Sequence, residues 1–131
     1  MNMLVYYDGS SASINAVKLA QKRAKAFNAK IFAVSTITRF DPLRHIDIQH
    51  AEQELKWGVA QIINGDHTEV ATRLLVSKLS AGEQLLQFAR NNDVKEIIIG
   101  VERTSELGKL LLGSITQKVV LNADCPVITV K

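Results

Sequence analysis

The sequence predicts an α/β protein, a single-domain, doubly wound, five-stranded parallel sheet with helices on both faces, spanning residues 1–131. Three observations carry that prediction. Strand-like and helix-like runs alternate from one end of the chain to the other, and no repeat, linker or low-complexity segment interrupts them. Ile97, Ile98 and Ile99 form a continuous apolar run ending at Gly100, the pattern of a strand covered on both faces. Strands separated by whole helices pair in parallel through right-handed crossovers, which winds such a sheet from both sides.

Met3 to Tyr7 (MLVYY) is a short apolar and aromatic run halted by Asp8-Gly9, and it predicts the first strand. Ser10 or Ser11 caps the helix that follows. Its apolar positions Ile14, Val17, Ala20, Ala24 and Phe27 recur every three or four residues, leaving Lys18, Lys22, Arg23 and Lys25 to water. After Asn28-Ala29, Ile31 to Ser35 (IFAVS) supplies β-branched and aromatic residues for a second strand. A helix begins at Asp41-Pro42 or a turn later. From Ile48 the spacing of Ala51, Leu55, Val59 and Ile62 is helical, and Asn64-Gly65-Asp66 closes it.

Val70, Thr72, Leu74 and Val76 alternate with polar or exposed positions and predict a half-buried third strand. Ser80 with Glu83 three residues on is a capping box, opening a helix through Leu85, Leu86 and Ala89 to Asn91-Asn92. The fourth strand is the isoleucine run. Gly113-Ser114 begins a helix carrying Ile115, Val119 and Val120, and Val127 to Val130 (VITV) is the fifth strand.

A chain of 131 residues has the size of one domain. At 47% apolar and 22% charged, with two prolines and seven glycines, it has the composition of a globular protein and excludes disordered and collagen-like classes. Its apolar runs are far shorter than the roughly 20 residues a membrane span needs. MNMLVYYDGS has no basic leader or cleavage site, so the expected location is cytoplasmic, away from membranes. The net charge of +3 comes from 16 basic and 13 acidic residues with no block of cations, which argues against nucleic acid as a partner. Cys125, the single cysteine, reads as a small buried filler. Trp57 reads as a partly buried packing residue of the second helix.

In doubly wound sheets, ligands bind outside the carboxyl ends of the strands. That rule selects Asp8-Gly9, Val34 to Thr36, and the stretch from Gly100 onward. Gly100 permits close backbone approach, while the free N–H groups and dipole of a helix opening at Gly113-Ser114 favour an anion. A plainer reading stands beside each: Gly100 ends a strand, Ser114 caps a helix, and Asp8 is a turn residue. His45, His50 and His67 lack the spacing of a metal site, and the sequence carries neither a Walker A loop nor a nucleophile elbow.

GVERTSELGKLLLGS, Gly100 to Ser114, followed by ITQKVVLNADCPVITV, resembles the C-terminal part of universal stress proteins, and VYYDGSSASINAVKLA resembles their first strand, turn and helix. The resemblance covers nearly the whole chain and implies an adenine nucleotide alpha hydrolase-like fold. Nucleotide-binding members carry a glycine, two residues, a second glycine, nine residues, then Gly-Ser or Gly-Thr, wrapped around the phosphates of ATP. Gly100, Gly113 and Ser114 match that signature, and Arg103 stands where its second glycine belongs.

By the same resemblance, Asp8 contacts the nucleotide, the Val34 backbone meets adenine, and Ile115 offers its N–H to a phosphate. Arg103 can fill the phosphate volume and close the site, or turn outward as a bidentate phosphate ligand. The first outcome implies a dimeric stress-response interaction module working through protein partners without ATP. The second implies a regulator that binds ATP or AMP, with any magnesium carried by ATP and at most weak ATPase activity. The resemblance also implies a homodimer formed through Val127 to Val130, a strand that would otherwise leave unpaired backbone groups at a sheet edge.

Overall fold

The computed structural model describes residues 1–39, 45–63, 65, 67–101 and 112–131. Five strands, β1 (Asn2–Tyr6), β2 (Lys30–Thr38), β3 (Val70–Ser77), β4 (Val94–Gly100) and β5 (Val127–Val130), alternate with four helices, α1 (Ser11–Phe27), α2 (His45–Ile62), α3 (Ala81–Asn91) and α4 (Ser114–Asn122). All strand pairs are parallel, in the order β3-β2-β1-β4-β5. From β1 the chain first steps outward through β2 to β3, then crosses back to β4 and leaves through β5. The connections therefore diverge between β1 and β4, and a crevice opens there at the strands' carboxyl ends.

Local chemistry fixes the helix ends. Ser10 is the N-cap of α1, its hydroxyl oxygen accepting the Ser13 N–H, and Asn28 ends the helix in the left-handed conformation at φ 53°. Ser80 caps α3 by accepting the Glu83 N–H, as the capping-box spacing predicts. Gly113 rather than Ser114 occupies the N-cap of α4. Asp41 and Pro42, expected to open α2, and Asn64 and Asp66, expected to close it, lie outside the described residues.

The sheet buries both faces. Met3, Val5, Ile31, Ala33 and Ile98 meet Ala16, Val17 and Ala20 of α1 and Leu55 and Val59 of α2. Leu4, Phe32, Val34 and Ile97 meet Leu85 and Ala89 of α3 and Val119 of α4. Ile97, Ile98 and Ile99 are buried as a two-sided strand requires. On the α1 side a charge enters the core: Glu96 is buried and hydrogen-bonded to Arg23. Lys95 is the extra residue of a bulge, because Asn2 pairs with Val94 whereas Met3 pairs with Glu96. β3 differs from the alternating pattern expected of it. All its residues except exposed Arg73 are half-buried, since among the described strands it lies at the edge beside β2.

One mismatch of lengths shapes the functional end of the sheet. β1 stops pairing at Tyr6, opposite Val34, but β2 runs on beside β3 to Thr38, opposite Ser77. The last backbone bond between β1 and β2 is from the Tyr7 N–H to the Val34 carbonyl, at 2.9 Å. Beyond it, β2 pairs among the described strands with β3 alone.

Candidate functional site

Asp8, Gly100, Gly113, Ser114 and Ile115 come together at the β1/β4 divergence, lining a crevice of about 310 Å³ with Tyr6, Ser10 and Thr116. Three elements place them: Asp8 stands just past the end of β1, Gly100 ends β4, and Gly113, Ser114 and Ile115 open α4. Asp8 follows β1, and its carboxylate accepts the Ser10 N–H at 2.9 Å in a turn that leads into α1. Gly9 completes this turn at φ +82°, a conformation that only glycine adopts freely. Ser13 sends its N–H to the Ser10 hydroxyl at 3.1 Å and its own hydroxyl to the Ser10 carbonyl at 2.9 Å. The turn reading of Asp8 is thus realised, and its exposed carboxylate still faces the crevice.

Burial by itself pushes the Asp8 carboxyl upward, but hydrogen bonds from Ser10 and Ser13 outweigh it and hold the group below its ordinary value. A carboxyl lowered on folding stabilises the folded state above the ordinary carboxylate range, near about pH 4. That contribution is lost as pH falls through the folded-state value. Asp8→Asn should therefore flatten the fall of stability below about pH 4, read by urea denaturation at several pH values; an unchanged acid slope would refute it.

Gly100 and Gly113 differ in what makes them glycine. A Cβ at Gly100 would lie 2.5 Å from the Ala12 carbonyl carbon, 2.6 Å from its oxygen and 2.8 Å from the Ser13 nitrogen. The close approach at Gly100 is made by protein, the first turn of α1. Around Gly113 a Cβ would meet no atom of the described residues within 4 Å. It stands at the start of a helix whose first-turn N–H groups have no intrahelical acceptor. Arg103, whose bulk the sequence sets against the second signature glycine, lies outside the described residues.

Val34 stands apart from this group. Its side chain is buried in the α3/α4-side core and its carbonyl takes the Tyr7 N–H. The strand position with backbone turned to the open side is two residues on, at Thr36, by the alternation of a parallel ladder. Thr36 also hydrogen-bonds the Tyr6 side chain, whose phenol is pushed up by burial despite that bond, with the Asp8 charge adding to the rise. The signal that could have selected Thr36 is the β-branched run, which continues past Ser35 through Ile37 and Thr38.

A second cavity, of about 380 Å³, adjoins Asp8 on the α2 side and is lined by Tyr7, Gly9, Ser35, Thr36, Leu74 and residues of α2 including Trp57. Trp57 is 69% exposed, a correction to the packing role expected of it: Leu55 and Val59 occupy the buried face of α2 instead. Gly58 in turn makes room for Tyr7, since a Cβ there would lie 2.3 Å from the phenol oxygen. Cys125 is half-buried beside the α3/α4-side core; burial, then the nearby Asp124 and Glu96, push its thiol up and away from the reactive thiolate. Among the described residues, no group of three histidines, cysteines or carboxylates could hold a metal ion. No described helix is long and apolar enough to cross a membrane.

Fold and crevice together define a doubly wound α/β domain whose open end is built from a strand-end carboxylate and a helix N-terminus. The model of the universal stress protein family matches residues 1–131, and the chain belongs to that family. It is 29% identical to a universal stress protein from Thermus aquaticus, over 98% of this chain and 97% of that one. A solved universal stress protein from Archaeoglobus fulgidus superposes with a TM-score of 0.86 at 28% identity, covering 100% of this chain and 98% of the other. A universal stress protein structure from the same organism, in complex with dAMP, has a TM-score of 0.81 at 25% identity, with the same coverage.

Proposed function

We propose that this chain is a regulator or sensor that binds an adenine nucleotide, AMP or ATP, in the crevice between β1 and β4. The observation that carries the proposal is the convergence of the Asp8 carboxylate and the Gly113-Ser114-Ile115 helix start on one open volume. The first-turn N–H groups suit phosphate oxygens, and the carboxylate suits ribose hydroxyls or amino groups. The dAMP bound by the relative from Archaeoglobus fulgidus supports the same ligand class. Any magnesium would arrive with ATP.

A committed hydrolase is disfavoured on chemical grounds. Asp8 is the carboxylate of the crevice among the described residues, and hydrogen bonding holds its proton affinity below the ordinary value, which makes it a poor general base. Among the described strands β5 lies at the sheet edge beside β4, which supports pairing with a second copy of the chain. Titration with AMP and with ATP by calorimetry tests the binding, and sedimentation at micromolar concentration tests the pairing. Heat of binding is expected for at least one nucleotide, and no heat at millimolar ligand would sink the proposal.

A further inference from the structure

The two cavities flanking Asp8 differ in chemistry. The one between β1 and β4 presents the start of α4 and suits an anion. The one beside α2 presents the rings of Tyr7 and Trp57, the apolar Leu55 and Leu74, and the strand end at Ser35 and Thr36. Each alone is at the small end of the range for small-molecule sites, about 300–1,000 Å³, and together they reach its middle. Asp8 lines both, so one ligand with an anionic end and an aromatic end can occupy the pair by passing over it.

The α2 wall has one feature that packing does not explain. A tryptophan 69% exposed at the rim of a cavity leaves most of a large apolar ring in water. One residue on, Gly58 lets the phenol of Tyr7 lie directly against the helix backbone. A side chain at position 58 would push that ring away from α2. The opposite wall is the part of β2 that has outrun β1, with Thr36 backbone groups on the unpaired side.

Resting on the nucleotide reading above, in which the base meets the end of β2 and the phosphate the start of α4, we propose that Trp57 of α2 covers the purine from the cavity beside that strand end. Trp57 is then a specificity-determining residue, favouring a phosphate ester that carries a flat heteroaromatic ring over the same ester without one. Stacking on an aromatic side chain has the required tolerance for any base and the required strength.

Trp57 is the only tryptophan in the chain, so its fluorescence reports this contact without labelling. AMP is expected to quench it and ribose 5-phosphate to leave it unchanged. Trp57→Ala should weaken AMP about fivefold or more in calorimetry, with ribose 5-phosphate unaffected and Trp57→Phe intermediate. Because the side chain is largely exposed, the variants retain the core. AMP binding by the wild type with no quenching, and with equal affinity in Trp57→Ala, would overturn the inference and leave the nucleotide reading standing. Absence of AMP and ATP binding by the wild type would overturn both.

Discussion

Gly100→Ala is expected to destabilise the protein by about 3 kcal/mol, at the upper end of the usual cost of overpacking. The new methyl would lie 2.5 to 2.8 Å from backbone atoms of Ala12 and Ser13. Backbone in the first turn of a helix cannot swing aside as a flexible side chain can, so either β4 or α1 must shift as a unit. Both are tied into the core: Ala16, Val17 and Ala20 of α1 pack on the strand that carries Ile98. Urea denaturation reads the effect directly. A loss under about 1 kcal/mol would show that the α1 start yields easily.

Gly113→Val is the second large effect, and it falls on binding instead. Among the described residues, position 113 has no atom near the place of a Cβ, and its backbone is extended at φ −65° and ψ 167°, which valine adopts. The folded protein should lose only about 1 kcal/mol, the scale of a poorer N-cap. The branched side chain would occupy space next to the first-turn N–H groups of α4. Under the nucleotide reading, AMP affinity should fall about thirtyfold or more, matching the loss of about 2 kcal/mol from charge-assisted bonds to phosphate. Calorimetry with AMP, set beside the melting temperature, separates the outcomes: unchanged affinity in a stable variant would remove the phosphate from the α4 start.

Much of the fold was legible because the hydrophobic period is unambiguous. The isoleucine run, the Ser80-Glu83 spacing and the Asp8-Gly9 break each reflect a local physical demand, and each is met where the sequence puts it. The site was legible less evenly. Asp8, Gly100 and Gly113 mark strand and helix ends, which a sequence displays. Val34 is the strand-end position that the resemblance selects, and the structure has its carbonyl taken by the Tyr7 N–H, with the next backbone turned to that side at Thr36. Strand length relative to a neighbour is a pairwise property, and β2 outruns β1 only once their register is known.

The same limit explains Trp57 and Gly100. Helical spacing places Trp57 between the buried Leu55 and Val59, but the direction it faces depends on how α2 rests on the sheet. Glycine at 100 satisfies a contact with α1 that is far away in sequence. Nothing local announces which backbone will come close, so a glycine required by packing and one beside open space look alike in the chain.

The overhang of β2 past β1 bears on how such a site tolerates sequence drift. At Thr36 the groups turned to the cavity beside α2 are amide and carbonyl, which every residue except proline shares. Under the nucleotide reading, the discriminating feature at that wall is then the relative length of two strands, not the identity of a side chain. Substitutions at position 36 can accumulate without erasing it, whereas one residue inserted or removed in β1 would move the whole edge at once.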